Sequence, residues 1–489
     1  MLESLEDRRL FASAVDPSAV ITPPSRTPFA LRVNFQPPEA PRVRGYRSDF
    51  GAAYGRRSNG FTYGWNTSRA GNAVYRDDPR YNSVRAQTNI TMPKGTTWNV
   101  RVPNGWYEVR VLMGDPSIIN ATYRLDAEGK PLVKGEPYKG FPWVEGLKTV
   151  QVRDGKLTLS VNAKAQGNRL CSIGIQGISA PKKSPTGARI AWSTSSIRSP
   201  LHRAEAGAVR VGNRLYVMGG FTTQYERVTG RVDILNVKTG NWTKGAPLPG
   251  AQTHFGAASD GQYIYIAGGQ YGPMLSSQGT AQAWRYDIAA RRWSRFIDLP
   301  EVRFGGQMSL VNGRLHFVGG NDRTRVRSRG EHWILDLSRL SKGWQAARAL
   351  PSPTDHHSQI VVKNQLYVIG GEVEHGTSYL QNAGFFRYNA QANRWQTLAP
   401  LPEASSHFEA ATLTDGKQII LVAGQTNAQQ LTSQVRSYDI ARNRWTSNTS
   451  LPTARKAGVA WIMGNRIFYM TGDDEQSGEP RSTYVGTIR

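Results

Sequence analysis

Six places in the second half of the sequence carry residues suited to bind an anion or to transfer a proton. Each place follows a proline: Pro200, Pro249, Pro300, Pro351, Pro402 and Pro452. Three residues after these prolines stand Arg203, Gln252, Arg303, Thr354, Ser405 and Arg455; five residues after them stand Glu205, His254, Gly305, His356, His407 and Ala457. Positions two apart on a strand share a face. The pattern therefore predicts one cationic or titratable group per place, on one side of the fold: Arg203, His254, Arg303, His356, His407 and Arg455.

A strongly basic segment adds to this set. Residues 321–329 contain Arg323, Arg325, Arg327 and Arg329. Guanidinium groups recognise carboxylate and sulfate through paired hydrogen bonds. We therefore predict a site for a carboxylate or sulfate group. The alternative is structural, with the arginines bonding neighbouring loops and the histidines bonding backbone.

Catalysis at such a site would require an acid/base pair near the arginines. The candidates are Glu205, Glu331, Glu372 and Glu409, and nothing in the sequence selects one. No metal centre is predicted, because metal ligands must lie about 2 Å from one ion and a ring of segments would spread the histidines apart.

The overall charge points to anionic partners. Lys and Arg number 61 against 36 Asp and Glu, a formal net charge of +25. Acidic polysaccharide, nucleic acid and anionic surfaces are all suitable partners for a positive charge. A generally basic proteome would explain the charge equally well. We do not expect nucleic acid, because no recognised nucleic-acid motif is present. The single cysteine, Cys171, excludes an intrachain disulfide and a cysteine-based metal site. No apolar run approaches the roughly 20 residues of a membrane span.

An internal repeat indicates the elements that position these residues. Diglycines recur at intervals of about 50 residues and decay in the last two units: Gly219-Gly220, Gly268-Gly269, Gly319-Gly320, Gly370-Gly371, Ala423-Gly424 and Thr471-Gly472. Each of the first five units also has a tryptophan near its end: Trp242, Trp293, Trp344, Trp395 and Trp445. Alternating apolar residues between these marks predict four short strands per unit.

This pattern resembles the Kelch family, and the resemblance implies a six-bladed β-propeller over residues 188–489. The sixth unit ends without a tryptophan strand. A segment at 188–200, which contains Trp192, is predicted to supply that strand and so close the ring. The inner strand of each blade lines the central channel in such a fold. The predicted ligand residues would therefore meet at the mouth of the channel.

Residues 30–178 predict a separate all-β domain. Short alternating runs such as 98–102 and 107–113 are broken by turn residues, which favours an antiparallel β-sandwich. The runs 150–152 and 157–161 flank Arg153–Lys156, a signal typical of a tight hairpin.

Several stretches of this domain resemble the malectin-like, galactose-binding-like sandwiches: Tyr63-Gly64-Trp65, Arg76-Asp77, Val102–Val109 and Met113–Asp115. The resemblance implies a jelly-roll sandwich that binds carbohydrate. The predicted sugar-binding residues are Tyr63, Trp65, Asp77, Phe141 and Trp143. Asp77 and Asp115 are also candidates for a calcium ion, the one cofactor considered. In the alternative interpretation Trp65 lies in the core and Asp115 shapes a turn.

The N-terminal residues suggest export. Residues 2–12 resemble the LEPR-x-LL element of planctomycete-type bacterial surface proteins, although Met1 stands where a basic stretch usually precedes it. A proline-rich linker follows to residue 29, and a second linker is predicted at 179–187. We therefore expect a secreted or cell-surface protein of a bacterium.

Two functions fit these features. The first is a carbohydrate-associated binding protein, whose sandwich holds polysaccharide while the propeller mouth binds an acidic ligand or another protein. The second is a propeller enzyme acting on an acidic sugar, similar to a sialic-acid mutarotase. Galactose oxidase chemistry is not expected, because it requires a cysteine inside the propeller and Cys171 lies in the sandwich.

Overall fold

The computed structural model describes residues 29–78, 83–137, 142–178, 185–223, 227–272, 277–324, 327–373, 380–426, 430–474 and 480–489. The chain divides into two compact units, Met1–Lys182 and Lys183–Arg489. In the described part, no helix is long and apolar enough to cross a membrane.

The first unit is a sandwich of two sheets. Its strands are β1 Ala30–Phe35, β2 Arg47–Asp49, β3 Gly55–Arg56, β4 Thr62–Trp65, β5 Ala73–Tyr75, β6 Thr88–Thr91, β7 Thr97–Arg101, β8 Gly105–Gly114, β9 Tyr123–Ala127, β10 Lys130–Gly135, β11 Trp143–Val152, β12 Lys156–Val161 and β13 Arg169–Ile178. The helices are a 3-10 turn, Ala70–Asn72, and α1, Val84–Gln87. One sheet has the order β11-β8-β13-β1-β2, with β6 on β13 and β5 on β6; the other has the order β10-β9-β12-β7-β4-β3. Side chains from both sheets share one buried core.

The turn at Arg153–Lys156 does not close a hairpin, contrary to the sequence prediction. Strand β11 pairs with β8, whereas β12 pairs with β7 and β9 in the opposite sheet. A tight turn can equally carry the chain from one sheet to the other. The local sequence does not distinguish the two cases, because both strands alternate with the same period.

The second unit contains 36 strands within the described residues: β14 Ile190–Arg198, β15 Gly207–Val211, β16 Arg214–Met218, β17 Phe221–Thr223, β18 Arg227–Val228, β19 Val232–Asn236, β20 Trp242–Lys244, β21 Gln252–Thr253, β22 Gly256–Ser259, β23 Tyr263–Ala267, β24 Gln270–Tyr271, β25 Gln278–Gly279, β26 Ala283–Asp287, β27 Arg292–Arg295, β28 Gln307–Val311, β29 Arg314–Val318, β30 His332–Asp336, β31 Gln345–Ala347, β32 Ser358–Val362, β33 Gln365–Ile369, β34 Glu372–Val373, β35 Leu380–Gln381, β36 Phe385–Asn389, β37 Arg394–Thr397, β38 Ser405–Ser406, β39 Thr412–Thr414, β40 Gln418–Val422, β41 Gln425–Thr426, β42 Gln430–Leu431, β43 Val435–Asp439, β44 Arg444–Asn448, β45 Arg455–Lys456, β46 Val459–Met463, β47 Arg466–Met470, β48 Asp473–Asp474 and β49 Ser482–Ile488. Two 3-10 turns, Leu340–Lys342 and Glu409–Ala411, complete the elements.

Six four-stranded antiparallel sheets among these strands form the blades. From the inner strand outward they are β15-β16-β19-β20, β22-β23-β26-β27, β28-β29-β30-β31, β32-β33-β36-β37, β39-β40-β43-β44 and β46-β47-β49-β14. The last blade thus takes its outer strand from the start of the unit, with Ile190 opposite Ile488 and Trp192 opposite Gly486. The prediction of six blades closed by an upstream strand is confirmed. This closure leaves no open edge between the first and last units.

In five of the six blades a tryptophan joins the blade to the one before it, whereas the buried indole N–H of Trp242 in the first blade makes no such hydrogen bond to any described residue. The five indole N–H groups that form this contact donate to a backbone carbonyl near the outer edge of the preceding blade, over 2.7 to 3.1 Å: Trp192 to Thr449, Trp293 to Ala246, Trp344 to Ile297, Trp395 to Arg348 and Trp445 to Ala399. The ring fills the widening gap between sheets, and the N–H satisfies a carbonyl that the outer strand leaves unpaired.

The diglycines recur because neighbouring blades approach closely there. Gly219 and Gly220 have φ of +62° and +93°, a region that favours glycine. A Cβ on Gly219 would lie 2.2 Å from the carbonyl oxygen of Gln252 in the next blade. Ala423 and Thr471, the two departures from the pattern, retain left-handed φ of 64° and 56°.

Candidate functional site

A belt of left-handed residues surrounds the channel, one from each blade. It consists of the residues five positions after the six prolines: Glu205 (φ 55°), His254 (60°), Gly305 (65°), His356 (47°), His407 (58°) and Ala457 (55°). Backbone hydrogen bonds connect successive members. Examples are Gly305 N–H to the His254 carbonyl at 2.8 Å and His356 N–H to the Gly305 carbonyl at 2.8 Å. The belt holds six side-chain positions against one another at the axis.

The arginines do not join this belt, which corrects the placement expected from the sequence. Arg203 is 1% exposed and donates to the carbonyls of Val217 and Arg231 at 3.2 and 3.1 Å, and to the carboxylate of Asp233. The expected placement assumed an extended chain in which residues two apart share a face. The left-handed residue Glu205 breaks that alternation, so its side chain and that of Arg203 diverge.

Arg303 and Arg455 are buried inside their blades in the same way. Arg303 contacts Glu301 at 2.9 Å and Glu331 at 3.1 Å, and its guanidinium lies 4.8 Å from the Trp333 ring centre. Arg455 donates to the Ser482 hydroxyl at 2.8 Å. These contacts hold loops and strands together, as the structural alternative proposed.

In the fifth blade, the arginine and the polar residue that it contacts have exchanged strands. Ser405 occupies the arginine position, and Arg436, from the third strand, donates to its hydroxyl at 3.0 Å. Asp233 of the first blade is equivalent to Arg436, since each of the two is the second residue of the third strand of its blade. An exchange of this kind preserves a buried polar contact and moves the cation, which is typical of a structural role.

The basic loop is anchored beside the belt. Arg323 and Arg327 are exposed, while Arg325 lies outside the described residues. The Ser328 hydroxyl donates to Asp355 at 2.5 Å, and Asp355 in turn bonds His356. Exposed guanidinium groups therefore lie on a loop fixed to the neighbour of a belt histidine.

The three belt histidines come together, contrary to the expectation that a ring would spread them. The ring centres of His254 and His356 are 4.8 Å apart, as are those of His356 and His407. One potential ligand atom each from Glu205, His254 and His356 lies within 4.8 Å of the others. The left-handed backbone directs these side chains inward, so the distance between blades does not separate them.

Each histidine Nδ1 has a polar neighbour, a feature that sequence reasoning missed. His356 Nδ1 donates to Asp355 at 2.5 Å. His407 Nδ1 lies 2.6 Å from the Ser406 hydroxyl and 3.4 Å from Glu372. The available signal was the polar residue immediately before the histidine, in Asp355-His356 and Ser406-His407.

The third histidine is held through a different residue. Gln270 Nε2 lies 3.3 Å from His254 Nδ1, and the Gln270 amide oxygen accepts from Ser277 at 3.1 Å. Gln270 is the residue that immediately follows the second blade's diglycine. The backbone turn at the diglycine thus places an amide against the belt.

Glu205 lies between two histidines on their other side. Its Oε1 is 3.3 Å from His407 Nε2, and its Oε2 is 3.9 Å from His254 Nε2. Burial raises the pKa of nearby Glu409 well above its ordinary value, and the negative charge of Glu205 raises it further. The Glu409 carboxyl group is therefore harder to ionise than an ordinary glutamate, and it lies beside Glu205.

The cluster also holds a proton on an imidazole. Burial lowers the pKa of His356, but the hydrogen bond to Asp355 and the charges of Asp355, Glu372 and Glu205 outweigh that effect and raise the pKa to about 10. Among the described residues, the acidic side chains of Glu205, Asp355, Glu372 and Glu409 thus lie around the three imidazoles. Such a site favours cations and hydrogen-bond donors at the axis rather than anions.

The other predicted acid, Glu331, serves the blade instead. It forms ion pairs with Arg303 and Arg329, both at 3.1 Å. Glu205, Glu409 and His254 line a cavity of about 100 Å³, together with Gln307 and many small side chains. The small residues leave room for a ligand next to the carboxylates.

The predicted aromatic residues of the sandwich are buried rather than exposed. Tyr63, Trp65 and Trp143 are 1%, 0% and 3% exposed, so none can stack on a sugar. Trp65 donates to Asp49 at 3.2 Å, and Trp143 donates to the Ala86 carbonyl at 2.6 Å. Their hydrogen bonds direct them inward. Phe141 lies outside the described residues.

The two aspartates differ. Asp115 is fully buried and paired with Arg76 at 2.7 Å and Arg169 at 3.3 Å, so its charge is already balanced without calcium. Asp77 is exposed and accepts from the Tyr75 hydroxyl at 2.7 Å. The exposed aromatic residues of this unit include Phe50 and Tyr54, which the sequence analysis did not select.

The second unit matches known repeat families along most of its length. Residues 202–249 and 253–296 match the Kelch motif, and residues 297–472 match the KLHDC2/KLHL20/DRC7 Kelch-repeats domain. Kelch repeat-containing protein At3g27220 of Arabidopsis thaliana is 24% identical over 301 residues, 57% of this chain and 70% of the relative. Kelch-like protein terF of Aspergillus terreus is 27% identical over 263 residues, 51% of this chain and 56% of the relative.

A solved structure shows the same fold. The structure of YjhT superimposes with a TM-score of 0.50 at 14% sequence identity, covering 60% of this chain and 99% of YjhT. Repeat matches, six blades and the overlay agree. The second unit of the chain is therefore a Kelch-repeat β-propeller.

Proposed function

We propose that the protein is a carbohydrate-associated protein of the cell surface or extracellular space, and that its propeller channel transfers protons on a sugar bearing an acidic group. The observation that carries this proposal is Glu205, held between His254 and His407, beside Glu409 with its raised pKa. Two carboxyl groups whose environments drive their pKa values apart can serve as acid and base.

Backbone strain supports a functional role for the belt side chains. A left-handed conformation costs a residue other than glycine about 1 kcal/mol or more. The third blade has Gly305 at this position, so the fold accepts glycine there. Ala457 keeps the same conformation without a polar side chain, so the strain alone assigns no chemistry. What favours a role for Glu205 and the three histidines is that their polar side chains meet at these strained positions.

The exposed arginines account for the acidic group of the substrate. Arg323 and Arg327 lie on the loop that Ser328 fastens to Asp355. In this arrangement the loop binds a carboxylate or sulfate while a hydroxyl reaches Glu205 and Glu409. The buried Arg203, Arg303 and Arg455 have no part in it, because their guanidinium groups are enclosed by their own blades.

Anomer exchange of acidic sugars, followed by NMR with the intact chain, tests the proposal. A sialic acid and a uronic acid are the first substrates. We expect Glu409→Gln to lower the exchange rate at least about 100-fold, as expected for loss of a general acid. Glu39→Gln, the same change at an exposed position of the first unit, serves as the control and should keep the parental rate.

Equal rates in the Glu409→Gln variant and its parent would reject the proton-transfer role. If acidic glycans also fail to bind, the mouth of the channel becomes a surface for docking another protein, a role that Kelch domains generally fill.

A second candidate function is polysaccharide binding by the sandwich alone. Phe50 and Tyr54 are 37% and 40% exposed on the connection between β2 and β3. Aromatic faces of this kind can stack on pyranose rings, so these residues replace the buried Tyr63 and Trp65 as candidates. Asp77 remains a candidate for binding hydroxyl groups. A glycan array that compares the parent with Phe50→Ala and Tyr54→Ala tests this function separately from the channel.

A further inference from the structure

We propose that Glu205, His254, His356 and His407 bind one divalent transition-metal ion, such as zinc, at the axis of the propeller. Imidazole and carboxylate together form the ligand set that zinc and neighbouring metals prefer. The inference does not depend on the sugar proposed above, because the metal can be measured without any substrate.

The candidate ligand atoms lie close to one another, at spacings near to or longer than those of a single site. A tetrahedral site with metal–ligand distances of about 2.1 Å places neighbouring ligand atoms about 3.4 Å apart. Glu205 Oε1 and His407 Nε2 are 3.3 Å apart, and Glu205 Oε2 and His254 Nε2 are 3.9 Å apart. The ligand atoms of Glu205, His254 and His356 lie within 4.8 Å of one another. His407 lies outside that group and contacts the other Glu205 oxygen, so binding one ion requires side-chain rotations that bring His407 Nε2 towards the other two rings.

The outer contacts match those of metal-binding histidines. Such histidines usually donate their second ring N–H to a carboxylate, carbonyl or water, which orients the ring. Asp355 accepts from His356 Nδ1 and is itself held by Ser328 and by Asn321, whose amide donates at 3.3 Å. Asp355 is thus an orienting group rather than a ligand.

The other two histidines have comparable partners. Glu372 and Ser406 face His407 Nδ1. The Glu372 carboxylate accepts hydrogen bonds of 2.9 to 3.2 Å from Gln381, from Gln425 and from the same Ser406 hydroxyl. Gln270 faces His254 Nδ1, and a half-turn of its amide presents the oxygen as an acceptor. In all three histidines, therefore, Nδ1 faces a protein partner, while the Nε2 atoms of His254 and His407 face Glu205.

Charge at the site favours a cation as well. Glu205, Glu372 and Asp355 are each less than a tenth exposed at the side chain. Buried carboxylates in a low-dielectric environment require nearby positive charge. A divalent ion supplies that charge in place of the proton that His356 otherwise holds, because an imidazole that binds a metal must give up that proton.

Metal content is the direct test. The intact chain is stripped with chelator, dialysed against Zn²⁺ and analysed by elemental mass spectrometry; a parallel sample receives Co²⁺, whose visible absorption reports tetrahedral coordination. We expect one ion per chain. Glu205→Gln and His254→Ala should each weaken Zn²⁺ binding more than about 100-fold, and Asp355→Asn about 10- to 100-fold, as for an orienting group. Glu39→Gln should bind like the parent.

Two results would overturn the inference: Zn²⁺ retention no greater than one tenth of an ion per chain in the parent, or equal retention in the Glu205→Gln/His254→Ala double variant and the parent. Because a variant can fail to fold, the parent's unfolding temperature is also measured with and without Zn²⁺, and a rise supports the site. Anomer exchange by the chelator-stripped parent separates the two proposals. Activity without metal would leave the proton-transfer proposal standing even if this inference failed.

Discussion

Replacing Arg203 by methionine tests whether the repeated arginines stabilise blades or bind ligand. The guanidinium is 1% exposed, and the Asp233 carboxylate that it contacts is 2% exposed. Removing one partner of a buried ion pair usually costs 3–5 kcal/mol, because the other charge is left uncompensated. Arg231 still contacts Asp233 at 2.7 Å. We therefore expect a loss near the lower end, about 3 kcal/mol in the free energy of unfolding.

Urea unfolding of the intact chain, followed by tryptophan fluorescence, measures this loss. The chain has two compact units, so the transition of the propeller is fitted separately. Arg227→Met, at an exposed position of the same blade, is the control and should change stability by less than about 0.5 kcal/mol.

A double-mutant cycle identifies the cause. Arg203→Met combined with Asp233→Leu removes both charges, so most of the stability should return, with a coupling energy of at least about 1.5 kcal/mol. A loss below about 1 kcal/mol for Arg203→Met, together with weaker binding of acidic glycans, would refute the structural role and restore the arginine ring as a ligand site.

Further predictions concern pH, backbone strain, blade contacts and the sandwich. Burial lowers the pKa of His316 to about 4 and that of His332 to about 3. The unfolded chain therefore takes up these protons first, and the free energy of unfolding should fall as the pH drops from about 6.5 towards 4. Urea midpoints compared across that range should show a shallower fall in His316→Gln than in the parent. Ala423→Gly restores a diglycine at φ 64° and should stabilise the propeller by about 1 kcal/mol, whereas Ala208→Gly, in an inner strand, should destabilise it in the same urea assay. Trp395→Phe removes the 2.7 Å bond to the Arg348 carbonyl and should cost about 1 kcal/mol or more; a thermal unfolding temperature equal to that of the parent would contradict this. Tyr54→Ala should weaken polysaccharide retention on affinity gels without lowering that temperature, and unchanged retention would exclude Tyr54 as a sugar platform.

The repeat itself was predictable because its causes lie within each unit. The diglycine and the tryptophan recur wherever blades approach closely or leave a carbonyl unpaired, and both conditions repeat with the blade. Even the closing strand at Trp192 could be predicted, since a missing outer strand in the last unit requires a replacement. The pairing of strands within the sandwich was harder to predict, as the turn at Arg153–Lys156 shows. Alternation of apolar residues defines a strand but does not identify the strand with which it pairs.

The candidate site was predictable only in part. The sequence places Glu205 and His254 at equivalent positions, and it includes Glu409 among the possible acids. It does not show that the chain turns left-handed at each of these positions. That conformation separates Arg203 from Glu205 and brings the ring centre of His356 to 4.8 Å from those of His254 and His407.

The sequence by itself determined the number of blades and the ring closure, because each depends on local residue types repeated along the chain. Of the six residues that it predicted around the channel, the structure places His254, His356 and His407 there and encloses Arg203, Arg303 and Arg455 in their blades. The tertiary structure alone decided which side chains point to the axis and which are enclosed by their blades. Burial and backbone φ depend on neighbours about 50 residues apart. The same holds for Trp65 and Trp143: any strand can carry an aromatic ring, but only the packed sandwich determines which side of the sheet is covered.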